Sequence, residues 1–129
     1  MTNLVPYLTV HDATAAIAFY AAAFGAQENT QESELDETDG KIGFVALTIG
    51  NDPFYLSDEF HDYGAYAPAT LGHSTSALVL GVDDADAVYA AALAAGATAD
   101  REPSDQGDEK RGWLVDPFGH RWAIHSPQR

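Results

Sequence analysis

Apolar residues crowd Leu4–Val10 and give way at His11-Asp12, after which Ile17, Tyr20 and Phe24 recur at steps of three and four. The first run reads as a buried strand. The spaced residues mark one face of a helix. Asp12 is a candidate N-cap, its carboxylate placed to accept from the free N–H groups of the first turn. Gly25 stands where a left-handed residue would stop the helix. Leu4–Gln27 therefore predicts strand, tight turn, helix and return strand. The pattern recurs in Ala77–Thr98. Val82-Asp83-Asp84-Ala85 repeats Val10-His11-Asp12-Ala13 at an offset of 72, and Gly96-Ala97 repeats Gly25-Ala26 at an offset of 71. Matching at both the turn and the stop favours a duplicated unit over chance likeness between two alanine-rich helices.

Between the copies, Gln27–Glu37 predicts an exposed strand ending in a Thr38-Asp39-Gly40 turn. Lys41–Gly50 predicts a strong strand, Gly50-Asn51-Asp52-Pro53 a hairpin turn, and Phe54–Ser57 the returning strand. Asp58-Glu59 finishes that strand in solvent. Residues 60–74 show neither period. A loop of that length is a linker or a binding loop, and Phe60, Tyr63 and Tyr66 either close over a ligand or pack the linker down. The second unit begins with the strand Thr75–Val82. Asp83 or Asp84 caps its helix, whose buried face is Val88, Tyr89, Ala92 and Leu93. Ala97–Arg101 predicts a short strand and Glu102–Arg111 a charged loop. Gly112–Val115 and Arg121–Ser126 predict strands joined by the tight turn Asp116–His120. The expected fold is α+β: one domain, residues 1–129, with β-α-β-β-β units at 1–59 and 75–129 joined by the loop 60–74.

Composition changes this picture in three places. The 129 residues include no cysteine, which excludes disulfides, thiolate catalysis and cysteine metal sites. Twenty acids against six bases give a net charge of −14. That sign repels nucleic acid and anionic membranes and attracts a cationic small ligand, or else it serves solubility alone. The most apolar run, Ala15–Phe24, is shorter than the ~20 residues that cross a bilayer. MTNLVPYL has no basic stretch followed by an apolar one, so a cytoplasmic protein is expected.

Several strings, in order, carry a resemblance: Pro6-Tyr7-Leu8, Ala16-Ile17-Ala18-Phe19-Tyr20, Phe24-Gly25-Ala26, Leu56-Ser57-Asp58-Glu59, Pro68-Ala69-Thr70-Leu71-Gly72, Ala95-Gly96-Ala97 and Asp116-Pro117-Phe118-Gly119-His120-Arg121-Trp122. With the doubled unit they resemble the vicinal oxygen chelate superfamily of glyoxalase I, bleomycin-resistance proteins and extradiol dioxygenases, and within it the PhnB-like subgroup. The resemblance implies curved sheets around a cavity, helices outside, and a homodimer. Strand alternation then assigns faces. Leu8, Val10, Val45, Leu47, Ile49, Leu78, Leu80, Val82, Trp122 and Ile124 turn to the helices. Val5, Tyr7, Thr9, Phe44, Ala46, Thr48, Ala77, Val79, Gly81, Arg121, Ala123 and His125 turn to the cavity.

Metal-using members of that superfamily hold a divalent ion with His and Glu from four cavity strands. The resemblance puts those positions at Val5, Ala46, Ala77 and Ala123, none of which offers a donor. No metal and no cofactor are expected. His11, His61, His73 and His120 fall in turns and loops and are expected in solvent. His125 has cavity parity, where it either meets a ligand or bonds a neighbouring strand. Nucleotide-binding glycine motifs, a placeable Ser-His-Asp set and paired cavity carboxylates are absent from the sequence. Tyr7, Thr9, Phe44, Thr48, Val79, Trp113 and His125 are the candidate ligand-binding residues, and no residue is assigned a catalytic role. Three functions compete. The leading one is a metal-free protein that sequesters or carries a small cationic or aromatic molecule. The others are a glyoxalase-like lyase or isomerase with a non-standard metal site, and a structural dimer with no open pocket.

Overall fold

The computed structural model describes residues 2–34 and 40–127. The first unit contains β1 (Tyr7–Thr9), α1 (Ala13–Phe24), β2 (Gln27–Glu34), β3 (Phe44–Ile49) and β4 (Asp52–Ser57), in a sheet ordered β1-β4-β3-β2. After a short α2 (Pro68–Leu71), the second unit contains β5 (Ala77–Gly81), α3 (Ala85–Ala95), β6 (Thr98–Asp105), β7 (Glu109–Val115) and β8 (Arg121–Pro127), ordered β5-β8-β7-β6. In each sheet the first strand runs parallel to the last, with Leu8 opposite Leu56 and Val79 opposite Ala123. The duplication extends to single hydrogen bonds. Asp12 accepts from the Ala15 N–H at 3.0 Å, and Asp84 from the Ala87 N–H at 3.2 Å. The first helical N–H of each copy reaches the end of its sheet, Ala13 to Asp58 Oδ1 at 2.7 Å and Ala85 to Ser126 Oγ at 3.0 Å. Gly25, at φ +71°, ends α1 and donates to the Ala21 carbonyl, a position where a side chain would be strained.

One apolar core contains α1, α3 and one face of each sheet: Val10, Tyr20, Val45, Leu47, Leu56, Leu114 and Ile124 are wholly buried within it. Tyr20 of α1 reaches across the units, its ring 5.5 Å from Phe54 and 5.7 Å from Trp122. Its hydroxyl donates to Asp116 at 2.5 Å. Burial, then the adjacent Asp116 charge, pushes the phenol well above its ordinary pKa, so it remains a donor.

Five expectations need correction. The run Leu4–Val10 is not a buried strand: only Tyr7–Thr9 is strand, and Leu4 and Tyr7 are exposed because β1 is the edge of its sheet. The segment Glu102–Arg111 is mostly strand, and only residues 106–108 turn. Apolar alternation was missing because β6 is an exposed edge and β7 sets Glu109 and Arg111 on its open face, while Lys110 turns to Asp86 of α3. Asp52-Pro53 belongs to β4. β1 pairs with β4 only from Tyr55 onward, so the missing N–H of Pro53 removes no bond to β1. The loop 60–74 holds a 3-10 turn, His61–Tyr63, and α2, which Pro68 starts and Gly72 stops at φ +93°. Asp58 and Glu59 are engaged, not left to water: Asp58 accepts from Ala13 and Ile42, and Glu59 from the Ala67 N–H, Thr70 hydroxyl and His61 at 2.9, 2.7 and 3.1 Å. Residues 35–39, which carry most of the expected Thr38-Asp39-Gly40 turn, lie outside the described residues. Among the described residues no helix is long and apolar enough to cross a membrane.

Candidate functional site

Each sheet gives one face to the core and leaves the other open. On the first sheet, the open face of β1, β3 and β4 gathers Tyr7, Phe44 and Tyr55. Their ring centroids lie 5.9 Å (Tyr7–Phe44), 6.0 Å (Tyr7–Tyr55) and 4.8 Å (Phe44–Tyr55) apart. The Tyr7 hydroxyl donates to the Gly43 carbonyl at 2.9 Å, which fixes that ring at the rim. Thr9, opposite Ser57, and Thr48, opposite Pro53, flank this aromatic trio.

On the second sheet the register aligns Val79, Ala123 and Trp113 in one row, and Gly81, His125 and Arg111 in the next. The guanidinium groups of Arg101 and Arg121 lie over the Trp113 ring, 5.3 and 5.1 Å from its centroid. His125 Nδ1 stands 3.0 Å from Glu109 Oε2, and Arg111 donates to Glu109 Oε1 through Nε at 3.1 Å. The Arg111 hydrogen bond, with help from His125, holds the Glu109 carboxyl below the usual carboxylate range. The His125 ring lies over Gly81: a Cβ there would sit 3.1 Å from Nε2, so the missing side chain makes room for the imidazole. A cavity of about 610 Å³ opens at this end, lined by Gly81, Asp83, Glu109 and His125 among others.

A groove of about 500 Å³ runs between the edge strands β1 and β5 and is lined by Tyr7, Ala77 and Val79. The seven candidate residues thus fall on open faces in two groups, one around Tyr7 and Phe44 and one around Trp113 and His125, with Val79 on the groove. The sequence reading missed Tyr55, Arg101, Glu109 and Arg111. Tyr55 alternates with the core residues Phe54 and Leu56, and Glu109 and Arg111 lie at steps of two from Trp113. Period-two counting extended past the apolar run would have found all three.

The other histidines divide. His61 is half exposed and stacks on Tyr66 at 4.3 Å. His11 and His73 are exposed. His120 contradicts the expectation: it is buried, and its Nε2 donates to the Thr9 carbonyl at 2.8 Å, bracing the β7–β8 turn against β1.

A family model described as the Glyoxalase/Bleomycin resistance protein/Dioxygenase superfamily matches residues 3–124. The chain belongs to this superfamily. A relative in Mycobacterium bovis, uncharacterized protein Mb0911c, is 37% identical over 98% of this chain and 84% of its own length. Among solved structures of the same fold, protein PA1353 from Pseudomonas aeruginosa has a TM-score of 0.76 at 21% identity, with both chains fully covered. The fosfomycin resistance protein FosX from Listeria monocytogenes has a TM-score of 0.71 at 16% identity, over 100% of this chain and 94% of its own. The positions that the resemblance assigns to metal ligands carry only hydrocarbon side chains, which do not fit a divalent ion: Ala46, Ala77 and Ala123 lie in β3, β5 and β8, and Val5 precedes β1. Among the described residues no three His, Asp or Glu side chains converge on one point.

Proposed function

We propose that this member of the glyoxalase/bleomycin resistance superfamily binds a small aromatic molecule without metal chemistry, and does so as a homodimer of single-domain chains. The observation that carries the reading is the make-up of the open faces. Flat rings (Tyr7, Phe44, Tyr55 and Trp113) are grouped with a few fixed polar atoms, which is the usual composition of a small-molecule site. The groove between β1 and β5 has Tyr7 of the first group and Val79 of the second sheet in its lining. Glyoxalase-like catalysis is the second reading, favoured by the Glu109–His125 pair, which supplies two donors of the kind a divalent ion takes. Calorimetry of the purified protein against a panel of aromatic natural products, run beside elemental analysis for bound metal, separates the two. The expected result is micromolar binding by at least one panel member and no stoichiometric metal. A folded sample that binds none of the panel overturns the first reading, and one tightly held transition metal per chain favours the second.

A further inference from the structure

The overall charge of −14 favours a cation at long range, but the distribution of charge over the open faces has the other sign. Every arginine among the described residues, Arg101, Arg111 and Arg121, lies on the open face of the second sheet, on three neighbouring strands. Glu109 is the acid placed among them, and it is held by Arg111 and His125. Among the described residues Arg101 and Arg121 have no carboxylate partner. Arg101 and Arg121 come from β6 and β8, the two neighbours of β7, and two like charges beside one indole ring repel each other. Cation–π attraction and packing of their stems on Trp113 offset part of that repulsion and leave the N–H forks free.

Arg121 also lines a cavity of about 490 Å³ between β8, α2 and the segment 72–74. His73, Ser74 and Val115 share its wall, and no carboxylate lines it among the described residues. Arg121 pairs with Ala77 across the sheet, and Ala77 lines the groove that also contains Tyr7. The cavity that holds Arg121 is thus one strand away from the groove that holds Tyr7, through the Ala77–Arg121 pair. The acids of this face, Glu109 with Asp83 and Asp108, gather at the opposite end, around the larger cavity.

We infer that the ligand is an aromatic oxyanion, its charged group on the Arg121 guanidinium with Arg101 as the second cation, and its ring directed along Trp113 toward the groove beside Tyr7. The inference rests on the small-molecule reading above and names the ligand class. A planar guanidinium donates two parallel N–H bonds to a carboxylate, sulfonate or phosphate, which gives both strength and orientation.

The test is a charge series on one ring: 2-naphthoate, 2-naphthalenemethanol and 2-naphthylmethylammonium. Binding is read by calorimetry and by quenching of Trp113, since Trp122 is buried in the core. Naphthoate is expected to bind at least tenfold more tightly than the alcohol, and the ammonium most weakly. Arg121→Gln is expected to weaken naphthoate at least tenfold while leaving the alcohol within twofold. Lys110→Gln, which removes a charge of the same sign on the helix side, is expected to change neither. Alcohol or ammonium binding as tight as naphthoate overturns the inference and leaves the small-molecule reading standing. Failure of all three naphthalenes to bind a folded sample overturns this inference, and failure of the wider panel is what overturns that reading.

Discussion

Asp116 fastens one half of the molecule to the other. Its side chain is buried, and it accepts from the Tyr20 hydroxyl, the Trp122 indole N–H and the backbone N–H groups of Phe118 and His120, at 2.5 to 3.0 Å. Replacing it with alanine strands four buried donors. Each such group costs ~1–3 kcal/mol, with water refilling part of the space. Asp116→Ala is therefore expected to lower the unfolding free energy by about 3–5 kcal/mol in urea, with the slope unchanged. A loss under about 1 kcal/mol would mean that these bonds are not what joins α1 to β8. At this scale local roles were legible and distant ones were not. Asp12 announces a cap because its partner is three residues away. Asp116 looked like a turn residue and His120 like a solvated one because their partners, Tyr20 and Thr9, lie 96 and 111 positions off.

Elements were legible wherever burial imposed a period. In β3 and β8 alternation put Val45, Leu47, Trp122 and Ile124 in the core and Phe44, Thr48, Arg121 and His125 on the other face, but Ala46 and Ala123 on that face are buried, small side chains among larger neighbours. β6 is mostly exposed along its length, and its register slips twice against β7, so no alternation survived there to be read. α2 is four residues long, too short for any helical period, although Pro68 and Gly72 marked its limits. The Glu59 carboxylate anchors that segment alongside the buried Ala67 and Pro68 and the bond from the Ala69 N–H to the Phe118 carbonyl. Burial pushes the Glu59 carboxyl up, but bonds from the Ala67 N–H, Thr70 and His61 outweigh it and hold the group below its usual pKa. Since the folded value is the lower one, the contribution is complete above the ordinary carboxylate pKa of about 4.3 and is lost as pH falls through the depressed value. Glu59→Gln at neutral pH should reproduce the acid condition locally. Expected are faster proteolytic nicking within 60–74 and faster amide exchange at Ala67, with little change in the urea midpoint. Unchanged exchange at Ala67 would count against Glu59 as the anchor.

The whole molecule was legible as a duplication, because two copies of one unit leave matching turns and stops in the chain. Its distribution of charge was not. Net charge is a sum, and it conceals that the arginines among the described residues share one sheet face, with Glu109 the acid beside them. The duplication also leaves one short strand, β1 or β5, at the edge of each sheet, with backbone groups facing no strand of the same sheet on that side. Leu4, Tyr7 and Val79 on and beside these edges are 96%, 53% and 68% exposed. Large apolar side chains on unpaired edges are what a second copy would cover. Two copies at −14 each repel, however, so apolar burial and strand contact must exceed a Coulomb cost that salt screens over about 8–10 Å near physiological strength. Sedimentation velocity is expected to show a dimer whose fraction rises from low to moderate sodium chloride. Val79→Lys, a charge on the β5 edge, should shift it to monomer at every salt concentration without loss of fold. A monomer that salt does not alter, or a dimer that ignores Val79→Lys, would remove these edges as the interface. It would leave the open faces to bind their ligand within one chain.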